Sequence, residues 1–475
     1  MNIKQKIILI YFLILPFIDL ATSLMTRFTD IMLTPGMIIK GITLLFAIIY
    51  IFFFSKSKYK RISIIYCSIL ILYIILYIGL KKDIWSLSNL IKEGTYGYRY
   101  FYYPFVFMGF LNLADDVKLD VTLVKKIISY NALIYAMLII IPYITNTGFA
   151  SYYDYYRFEG SVGWFYAANE IGAILTILSV SIYYFLDVSK KYKVLLLIPI
   201  FASLTILGTK VGFLGMVIVY FICLIAFIIK EKKKSFLLVC VSLCFLGVAT
   251  YFSPVSNNIK SVMGNYLPSN EDNINNPNNN EKPSDNKKPN DNKKPENKNN
   301  SNKTGNKLIE KIHNFKKLDD FIKNEKIRNA ITVIFNGRDI MLVENLNYYL
   351  YSGSVNQLFG LSWTDRESID YTTNNKLIEI DYFDILIHYG IIGFIIYFLP
   401  LVVFLFYTII NIKYIKVETY IYLFTILTIL GAALLAGHIF SAPAVSIYLI
   451  LLMIISLFEI DKNKEEKSGG SKWKK

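Results

Sequence analysis

Runs of apolar residues long enough to cross a lipid bilayer dominate this sequence. Clear examples cover residues 7–25, 37–54, 62–80 and 211–229. A helix of about 20 apolar residues spans a hydrocarbon core roughly 30 Å thick. Because these runs are continuous and show no alternation of apolar and polar residues, they indicate helices rather than the strands of a barrel. We therefore expect an all-α, polytopic membrane protein.

About twelve such spans are predicted along the chain. A large soluble protein with buried core helices is the alternative, and it fits poorly because so many runs exceed roughly 17 residues. The first run is interpreted as a retained span, since it is long, contains Pro16 and Asp19, and lacks the small-residue cleavage site of a signal peptide. The approximate bounds of the spans are 7–25, 37–54, 62–80, 96–113, 123–145, 165–187, 193–209, 211–229, 235–253, 389–411, 417–437 and 439–458.

Cysteine content and charge argue against a disulfide-rich or thiolate-metal protein and against a nucleic-acid-binding protein. All the cysteines lie inside apolar runs, which indicates packing rather than a disulfide framework or a thiolate metal site. They are Cys67, Cys223, Cys240 and Cys244. The formal net charge is +15, but the lysines cluster beside helix ends or in one polar insert, without a basic face interleaved with aromatic residues. Nucleic acid is therefore not an expected partner.

The distribution of Lys and Arg between the loops predicts the orientation of the chain. Alternate short loops carry sixteen of these residues on one side of the membrane and six on the other. Loops rich in positive charge stay in the cytoplasm. Both termini are therefore expected in the cytoplasm, and the lysine-rich tail at 460–475 agrees. The heavy use of Ile, Lys, Asn and Tyr is typical of an AT-rich bacterial genome, so the membrane would be a bacterial plasma membrane.

The same alternation of loops between the two sides of the membrane places one long polar loop, residues 254–376, outside the cell. Its segment 265–307 is rich in Asn, Lys and Pro, has almost nothing to bury and is predicted to be disordered. We interpret it as a flexible spacer, with contact to anionic wall polymers as the alternative. Residues 308–376 regain helical apolar spacing and should form a small helical cap. The loop separates an N-terminal membrane domain (1–253) from a C-terminal one (377–459).

Polar side chains within or beside the spans fall mainly in their outer parts. They are Asp19, Lys40, Arg99, Asn169, Glu170, Lys210, Glu379, Asp381, Asp384, His388 and His438. Such groups are costly in lipid and are therefore functional candidates. A pump or channel would more often carry charges across the membrane centre. The one-sided distribution favours an enzyme with a polar chamber that opens to the exterior.

The loop from Arg157 to Glu170 is the first candidate motif. Gly160 and Gly163 permit a tight turn, and the guanidinium of Arg157 is a planar fork suited to a diphosphate or to sugar hydroxyls. Asn169 follows at the start of the next span as a second candidate for binding. The alternative is a plain turn with a surface arginine.

The second motif is the tight reversal from Gly208 to Gly212. It places Lys210 at the outer boundary, beside a helix N-terminus, where both the lysine charge and the helix dipole attract an anion. A lysine that merely extends to the membrane interface is the alternative.

The third motif joins Arg338, in the predicted cap, to the acidic stretch before the tenth span. On a helix, Asp381, Asp384 and His388 would share one face. A carboxylate in such a group could act as a general base, and Glu379 and Asp381 are the candidates for this catalytic role. Asp384 is a candidate for substrate contact. The alternative is a cluster that solvates the start of a helix.

His438 lies between the last two spans, shortly before a proline. It is interpreted either as an interfacial hydrogen-bonding group or as a further contact to substrate. Three scattered histidines do not make a metal site.

At these positions the chain resembles the O-antigen ligase/polymerase family of bacterial surface-polysaccharide enzymes. Each motif is weak alone, and their order within a shared topology makes the set more specific. The matching features are the Arg157–Asn169 loop, the basic turn Thr209–Gly212, the pair Gly337–Arg338, and Gly390 with Gly393.

Two positions depart from the ligases of this family. Glu379 stands eleven residues before Gly390, where ligases usually carry a histidine, and Lys210 stands where they tend to have an arginine. These departures resemble the capsule-type polymerase branch.

The resemblance implies a helical glycosyltransferase fold of the C type, without a metal or cofactor. Its substrate would be an oligosaccharide linked to undecaprenyl diphosphate at the outer leaflet. Arg157, Lys210 and Arg338 would then stabilise the leaving diphosphate, and Glu379 or Asp381 would accept the proton of the acceptor hydroxyl. Membrane lipids and other polysaccharide-assembly proteins are the further expected partners.

The leading hypothesis is a polymerase of repeat units for a capsule or another surface polysaccharide. A ligase that transfers a lipid-linked glycan to a wall or other acceptor would use the same site. A flippase of lipid-linked sugars should show internal repeats and a cationic cavity that reaches the membrane centre, and neither is evident. A structural scaffold would need no polar chamber.

Overall fold

The structure is a computed structural model, and part of the chain is described by it. The described residues are 3–31, 33–152, 160–180, 197–218, 221, 247, 251, 253–257, 325–335, 338–364, 378–435 and 437–469. Most of them are helical, with one short two-stranded ribbon. The expected helical architecture is confirmed for this part. Most of the spans expected at 211–229 and 235–253, and the insert 265–307, lie outside it.

Long helices form the N-terminal half. They are α1 (Ile3–Phe28), α2 (Pro35–Ile49, continued by a π turn at Tyr50–Phe54), α3 (Lys60–Leu80), α4 (Leu87–Asp116, preceded by a 3₁₀ turn at Lys82–Trp85) and α5 (Val121–Ile144). The antiparallel strands β1 (Phe149–Ala150) and β2 (Ser161–Gly163) follow, and then α6 (Ala168–Leu178) and α7 (Leu197–Leu207). Residues 210–218 are also helical.

The C-terminal half contains short helices and then three long ones. The short helices lie in the predicted cap and are α8 (Glu325–Phe335), α9 (Arg338–Tyr351) and α10 (Ser354–Phe359). The long helices are α11 (Asp381–Ile410), α12 (Val417–Leu435) and α13 (Pro443–Gly469), with a 3₁₀ turn at Ile412–Tyr414 before α12. The first part of the predicted cap, residues 308–324, lies outside the described residues.

Side-chain caps fix the starts of several apolar helices. The Thr34 hydroxyl accepts a hydrogen bond from the Met37 amide (3.4 Å), and Pro35 occupies the first helical position of α2. The Asp120 carboxylate accepts one from the Thr122 amide (2.8 Å) at the start of α5. These residues satisfy amides that have no partner within the helix, and so they define where each helix begins.

In the described part of the chain, seven helices are long and apolar enough to cross a membrane: α1, α2 with its π turn, α3, α5, α11, α12 and α13. Their outward faces expose large apolar side chains such as Leu45, Leu72 and Phe406, as expected where lipid is the solvent. Helix α13 is the most enclosed and packs against α4, α6 and α12. The chain is thus a multi-pass membrane protein, while twelve spans and the C-type fold remain predictions.

Hydrogen bonds tie the helix ends into two separate polar layers. At one end of the bundle, Lys58 Nζ lies 2.8 Å from Asp461 Oδ2. At the other, Arg27 at the end of α1 donates to the carbonyl of Phe165 (2.8 Å). This second layer also contains Lys210 and His438, and we call it the site end. Its placement outside the cell remains a prediction.

Helix α11 begins at Asp381, eight residues before the span predicted at 389–411. The polar residues Asp384 and His388 do not end the helix, because both are buried against protein rather than exposed at the membrane surface. The predicted helical arrangement of 381, 384 and 388 is confirmed. A break follows at Gly390, whose φ of 66° lies in the left-handed region, so the helix is kinked where the predicted span would start.

Candidate functional site

Arg338 and Glu379 meet at the site end, although they are 41 residues apart in the chain. Arg338 is the first residue of α9, and Glu379 precedes α11. Arg338 Nε and Nη2 both donate to Glu379 Oε2, at 3.1 and 2.6 Å. Arg338 Nη1 also donates to the carbonyl of Leu435 at the end of α12 (3.3 Å). The guanidinium therefore joins the cap to two helices of the membrane domain.

The backbone around this pair has an unusual conformation. Glu379 and His438 have φ values of 59° and 60°, and Gly437 has 61°. Positive φ is uncommon for residues other than glycine and costs on the order of 1 kcal/mol or more. A Cβ atom on Gly437 would collide with the backbone carbonyl of Glu379. The two segments therefore pack directly against each other, backbone to backbone.

Asp381 organises the turn that follows α12. Its Oδ1 accepts from the His438 amide (3.1 Å) and the Ser441 hydroxyl (2.8 Å), and its Oδ2 accepts from the amides of Ile439 (2.6 Å) and Phe440 (2.8 Å). The side chain is buried, so these bonds form away from bulk water and bind strongly. Asp381 thereby fixes the position of His438.

Asp384 and His388 lie deeper, on the same face of α11. Asp384 Oδ1 accepts from the Ile378 amide (3.3 Å), which steadies the chain just before Glu379. The ring of His388 stacks on Trp363, with the centroids 3.4 Å apart, and its Nδ1 lies 3.2 Å from the carbonyl oxygen of Leu361. These contacts give Asp384 and His388 structural partners.

Lys210 approaches the same region from the other side of the bundle. It begins the helical residues 210–218, where the Thr209 hydroxyl accepts from the Gly212 amide (2.9 Å), so its predicted position at a helix N-terminus is confirmed. Lys210 Nζ donates to the carbonyl of Ile334 (3.1 Å), in the last turn of α8 and four residues before Arg338. Two cations thus reach the junction between α8 and α9.

His438 connects this pair to a cavity. Its Nε2 lies 3.9 Å from Glu379 Oε1, the oxygen that does not face Arg338. His438 also lines a cavity of about 860 Å³ between α1, α2, α4, α6 and the start of α13. The polar side chains around it include Asp19, Lys40, Arg99, Asn169 and Glu170. The structure thus brings six of the polar residues that the sequence analysis singled out together around one cavity.

A comparison with family models identifies the kind of protein. The model described as O-antigen ligase like membrane protein matches residues 1–463. The chain belongs to this family. No curated protein and no solved structure matches the chain. As an O-antigen ligase-like protein, the chain is a membrane enzyme of surface-polysaccharide assembly that acts on lipid-linked glycans.

Arg157, one of the positions that carried the resemblance to this family, lies outside the described residues. The strands on either side of it are described: Ala150 pairs with Ser161 across the ribbon. Gly160 and Gly163 have φ values of 97° and 65°, as the predicted tight turn requires, and both pack against backbone carbonyls of neighbouring helices. The flanks of the loop are therefore fixed at the site end.

In this O-antigen ligase-like chain, the described residues contain no group of three His, Cys, Asp or Glu side chains close enough to hold a metal ion.

The sequence alone did not reveal the role of Asp381 in holding the turn at 438–441, because the donors of its hydrogen bonds lie 57 to 60 residues away. The one available signal was the glycine at 437 next to His438. Such a Gly-His pair after a helix indicates a left-handed turn.

Proposed function

We propose that this protein polymerises oligosaccharide repeat units carried on undecaprenyl diphosphate, at the outer leaflet of a bacterial plasma membrane. The observation that carries this proposal is the Arg338–Glu379 ion pair beside His438, which lines a polar cavity. Lys210 bonds to the carbonyl of Ile334, four residues before Arg338. This arrangement combines cations for a diphosphate, a carboxylate for a hydroxyl proton and space for sugars. No nucleotide is required, because the donor is already activated by its lipid diphosphate.

Arg338 and Lys210 are proposed to bind the diphosphate of the donor. When the sugar leaves, negative charge develops on the diphosphate oxygen, and fixed cations in a partly dehydrated site stabilise it by a few kcal/mol each. Arg338 supplies a planar set of donors, and Lys210 supplies a point charge. We propose that Arg157 adds a third cation, because the described residues on either side of it pair in the β1–β2 ribbon at the same end of the bundle.

Glu379 is proposed as the general base. The acceptor hydroxyl oxygen attacks the anomeric carbon of the donor sugar, and its proton passes to the Glu379 carboxylate. A glycosidic bond forms while the bond from the anomeric carbon to the phosphate oxygen breaks, and its electron pair leaves with the lipid diphosphate. Because Glu379 Oε2 and a diphosphate both bind the Arg338 guanidinium, arrival of the donor would draw Arg338 away and leave the carboxylate ready to accept a proton.

Asp381 and Asp384 are assigned positioning roles in this mechanism. Asp381 already accepts hydrogen bonds on both oxygens from the 438–441 turn, and it is buried. It therefore places His438 rather than taking the hydroxyl proton. Asp384 steadies the backbone before Glu379. Asn169 and His438 are proposed to contact the glycan, since both line the cavity.

A ligase is the second candidate, because the matching family is described by that activity. We favour a polymerase since Glu379 occupies the position at which the ligases that this chain resembles carry a histidine. A carboxylate and an imidazole can both act as a base, so this preference rests on the resemblance to the capsule-type polymerase branch rather than on the chemistry of Glu379. The two reactions differ in the product that accumulates when the site is inactivated.

The experiment uses host cells in which Arg338→Gln or Glu379→Gln replaces the original residue. A polymerase defect leaves single repeat units on undecaprenyl diphosphate at the outer leaflet, which lipid extraction and mass spectrometry detect. A ligase defect leaves long glycans on the lipid, and a transport defect leaves units facing the cytoplasm. Arg61→Gln and Glu466→Gln are matched controls, because both residues are exposed and lie at the opposite end of the bundle. Normal polymer in both site variants would refute the proposal.

A further inference from the structure

The cavity beside His438 contains polar groups to which the proposed mechanism gives no role beyond a general contact of Asn169 and His438 with the glycan. The side chains of Arg99, Asn169 and Glu170 line it and are partly exposed. Within the part of the chain that the structure describes, these three side chains make no hydrogen bond or ion pair with the protein. Groups of this kind around a concave space are typical of a ligand site. The volume of about 860 Å³ lies within the usual range of such sites.

The charge balance of the cavity argues against a diphosphate as its occupant. Lys40 is already neutralised, since its Nζ lies 2.5 Å from Asp19 Oδ1 and both side chains are only 7% exposed. The hydroxyl of Tyr135 donates to the other Asp19 oxygen at 2.6 Å. The described lining then offers the cation of Arg99 against the carboxylates of Asp30 and Glu170. With two carboxylates against one cation, a dianionic group would meet more repulsion than attraction there.

The rest of the lining suits a carbohydrate. Hydroxyl-bearing side chains and tyrosine rings surround the space, and sugars present both hydroxyl groups and apolar faces of C–H bonds. Amide, carboxylate and guanidinium groups can each bond to sugar hydroxyls, and tyrosine rings cover the apolar faces. The lining residues of these two kinds include Thr26, Thr29, Thr95, Tyr98, Tyr152 and Tyr166.

The rim of the cavity is held in place before any ligand arrives. Arg27 Nη2 donates to the carbonyl of Phe165 (2.8 Å), and its guanidinium lies over the ring of Phe149, 3.9 Å from the centroid. These contacts fix the chain just before α6, where Asn169 and Glu170 begin the helix. A rim fixed in this way reduces the entropy lost when a sugar binds.

The geometry points to this cavity as the acceptor subsite, which binds the uncharged or weakly charged oligosaccharide that receives the transferred glycan. This inference rests on the proposed function and adds to it a division of the site. The lipid diphosphate of the donor lies on the side of Arg338 and Lys210, and the acceptor sugar lies on the side of Arg99, Asn169 and Glu170. His438 stands between them, because it lines the cavity and its Nε2 is 3.9 Å from Glu379 Oε1. An acceptor hydroxyl that passes His438 reaches the proposed base.

Direct binding measurements on the full-length protein in detergent test this division. The first probe is a mixture of short oligosaccharides released by mild acid from the host's own surface polysaccharide, and the second is undecaprenyl diphosphate without sugar. We expect Arg99→Gln and Glu170→Gln to weaken binding of the oligosaccharides about tenfold or more, since each removes a charged hydrogen-bonding group. Binding of undecaprenyl diphosphate should be unchanged, which also shows that the variants are folded.

The opposite pattern is expected for Arg338→Gln and Lys210→Gln, which should lose undecaprenyl diphosphate and keep the oligosaccharides. Arg61→Gln is the matched control and should keep both. The inference is overturned if the original protein binds no oligosaccharide, if the cavity variants bind it normally, or if they lose the lipid diphosphate. Binding is measured without turnover and is therefore independent of the cell experiment. Accumulation of repeat units that face the cytoplasm in the cell experiment would refute the proposed function, whatever the binding result.

Discussion

The Arg338 guanidinium holds a single oxygen of the Glu379 carboxylate with two nitrogens, Nε at 3.1 Å and Nη2 at 2.6 Å. The other carboxylate oxygen, Oε1, faces His438 Nε2 at 3.9 Å. One oxygen of the Glu379 carboxylate is therefore held by the arginine cation, and the other is directed towards His438 and the cavity. In the proposed mechanism, a diphosphate bound to Arg338 would replace part of its contact with the carboxylate, so the pair would couple donor binding to release of the base.

Replacing Arg338 with lysine tests whether the shape of the guanidinium matters as well as its charge. Lysine keeps the charge but offers no planar set of donors, so it cannot bind a diphosphate and reach Leu435 in the same way. We expect Arg338→Gln to lower the rate of chain extension by about 100-fold or more, and Arg338→Lys to lie between that variant and the original protein. The rate is measured as polymer length and amount per unit time in cells. Full activity of Arg338→Lys would show that only charge is required.

A methyl group at Gly437 should disrupt the site without removing any chemical group from it. Gly437 has a φ of 61°, and a Cβ there would collide with the backbone carbonyl of Glu379. We expect Gly437→Ala to displace Glu379 and to abolish most chain extension, measured as accumulated single repeat units. Gly431→Ala is the matched control, because a Cβ at Gly431 meets nothing within 4 Å. Equal activity of the two variants would contradict a tight backbone contact.

Much of this architecture could be predicted from the sequence, because each apolar run carries its own signal. The helices α1, α2, α3, α5, α11, α12 and α13 all lie where long runs stand, and the chamber residues were recognised because polar groups are rare in lipid. Helix α11 begins eight residues before the membrane span predicted at 389–411. Hydropathy ends a span at polar residues, whereas Asp381, Asp384 and His388 are buried in protein and continue the helix.

The partners of each site residue could not be predicted, because they come from distant parts of the chain. Asp381 lies two residues after Glu379 in the sequence, and both were therefore candidates for the general base. The four hydrogen bonds that Asp381 accepts nevertheless come from residues 438–441. Five helices contribute to the cavity, and their packing cannot be derived from one sequence. Lys210 was predicted at a helix N-terminus, but its contact with Ile334 depends on how the cap docks.

Asp381 should contribute more to stability than an ordinary capping aspartate. Asp381→Ala would leave three amides and a hydroxyl without their acceptor, all but the His438 amide in buried hydrogen bonds. We expect it to lower the free energy of unfolding by about 3 kcal/mol or more. Asp120→Ala removes an exposed cap at the start of α5 and should cost about 1 kcal/mol. Unfolding of both variants is followed in detergent by loss of helical circular dichroism. Similar losses for the two would show that the 438–441 turn does not depend on Asp381.

The orientation of the bundle can be tested with single cysteines at its two ends. Ser354 and Lys56 are both exposed, and they lie at the site end and the opposite end respectively. In a chain whose natural cysteines are replaced by serine or alanine, Ser354→Cys should react with a membrane-impermeant maleimide in intact cells. Lys56→Cys should react only after the cells are permeabilised, because its loop carries the charges that stay in the cytoplasm. The reverse labelling would place Arg338, Lys210 and Glu379 in the cytoplasm, where they could not reach a glycan in the outer leaflet.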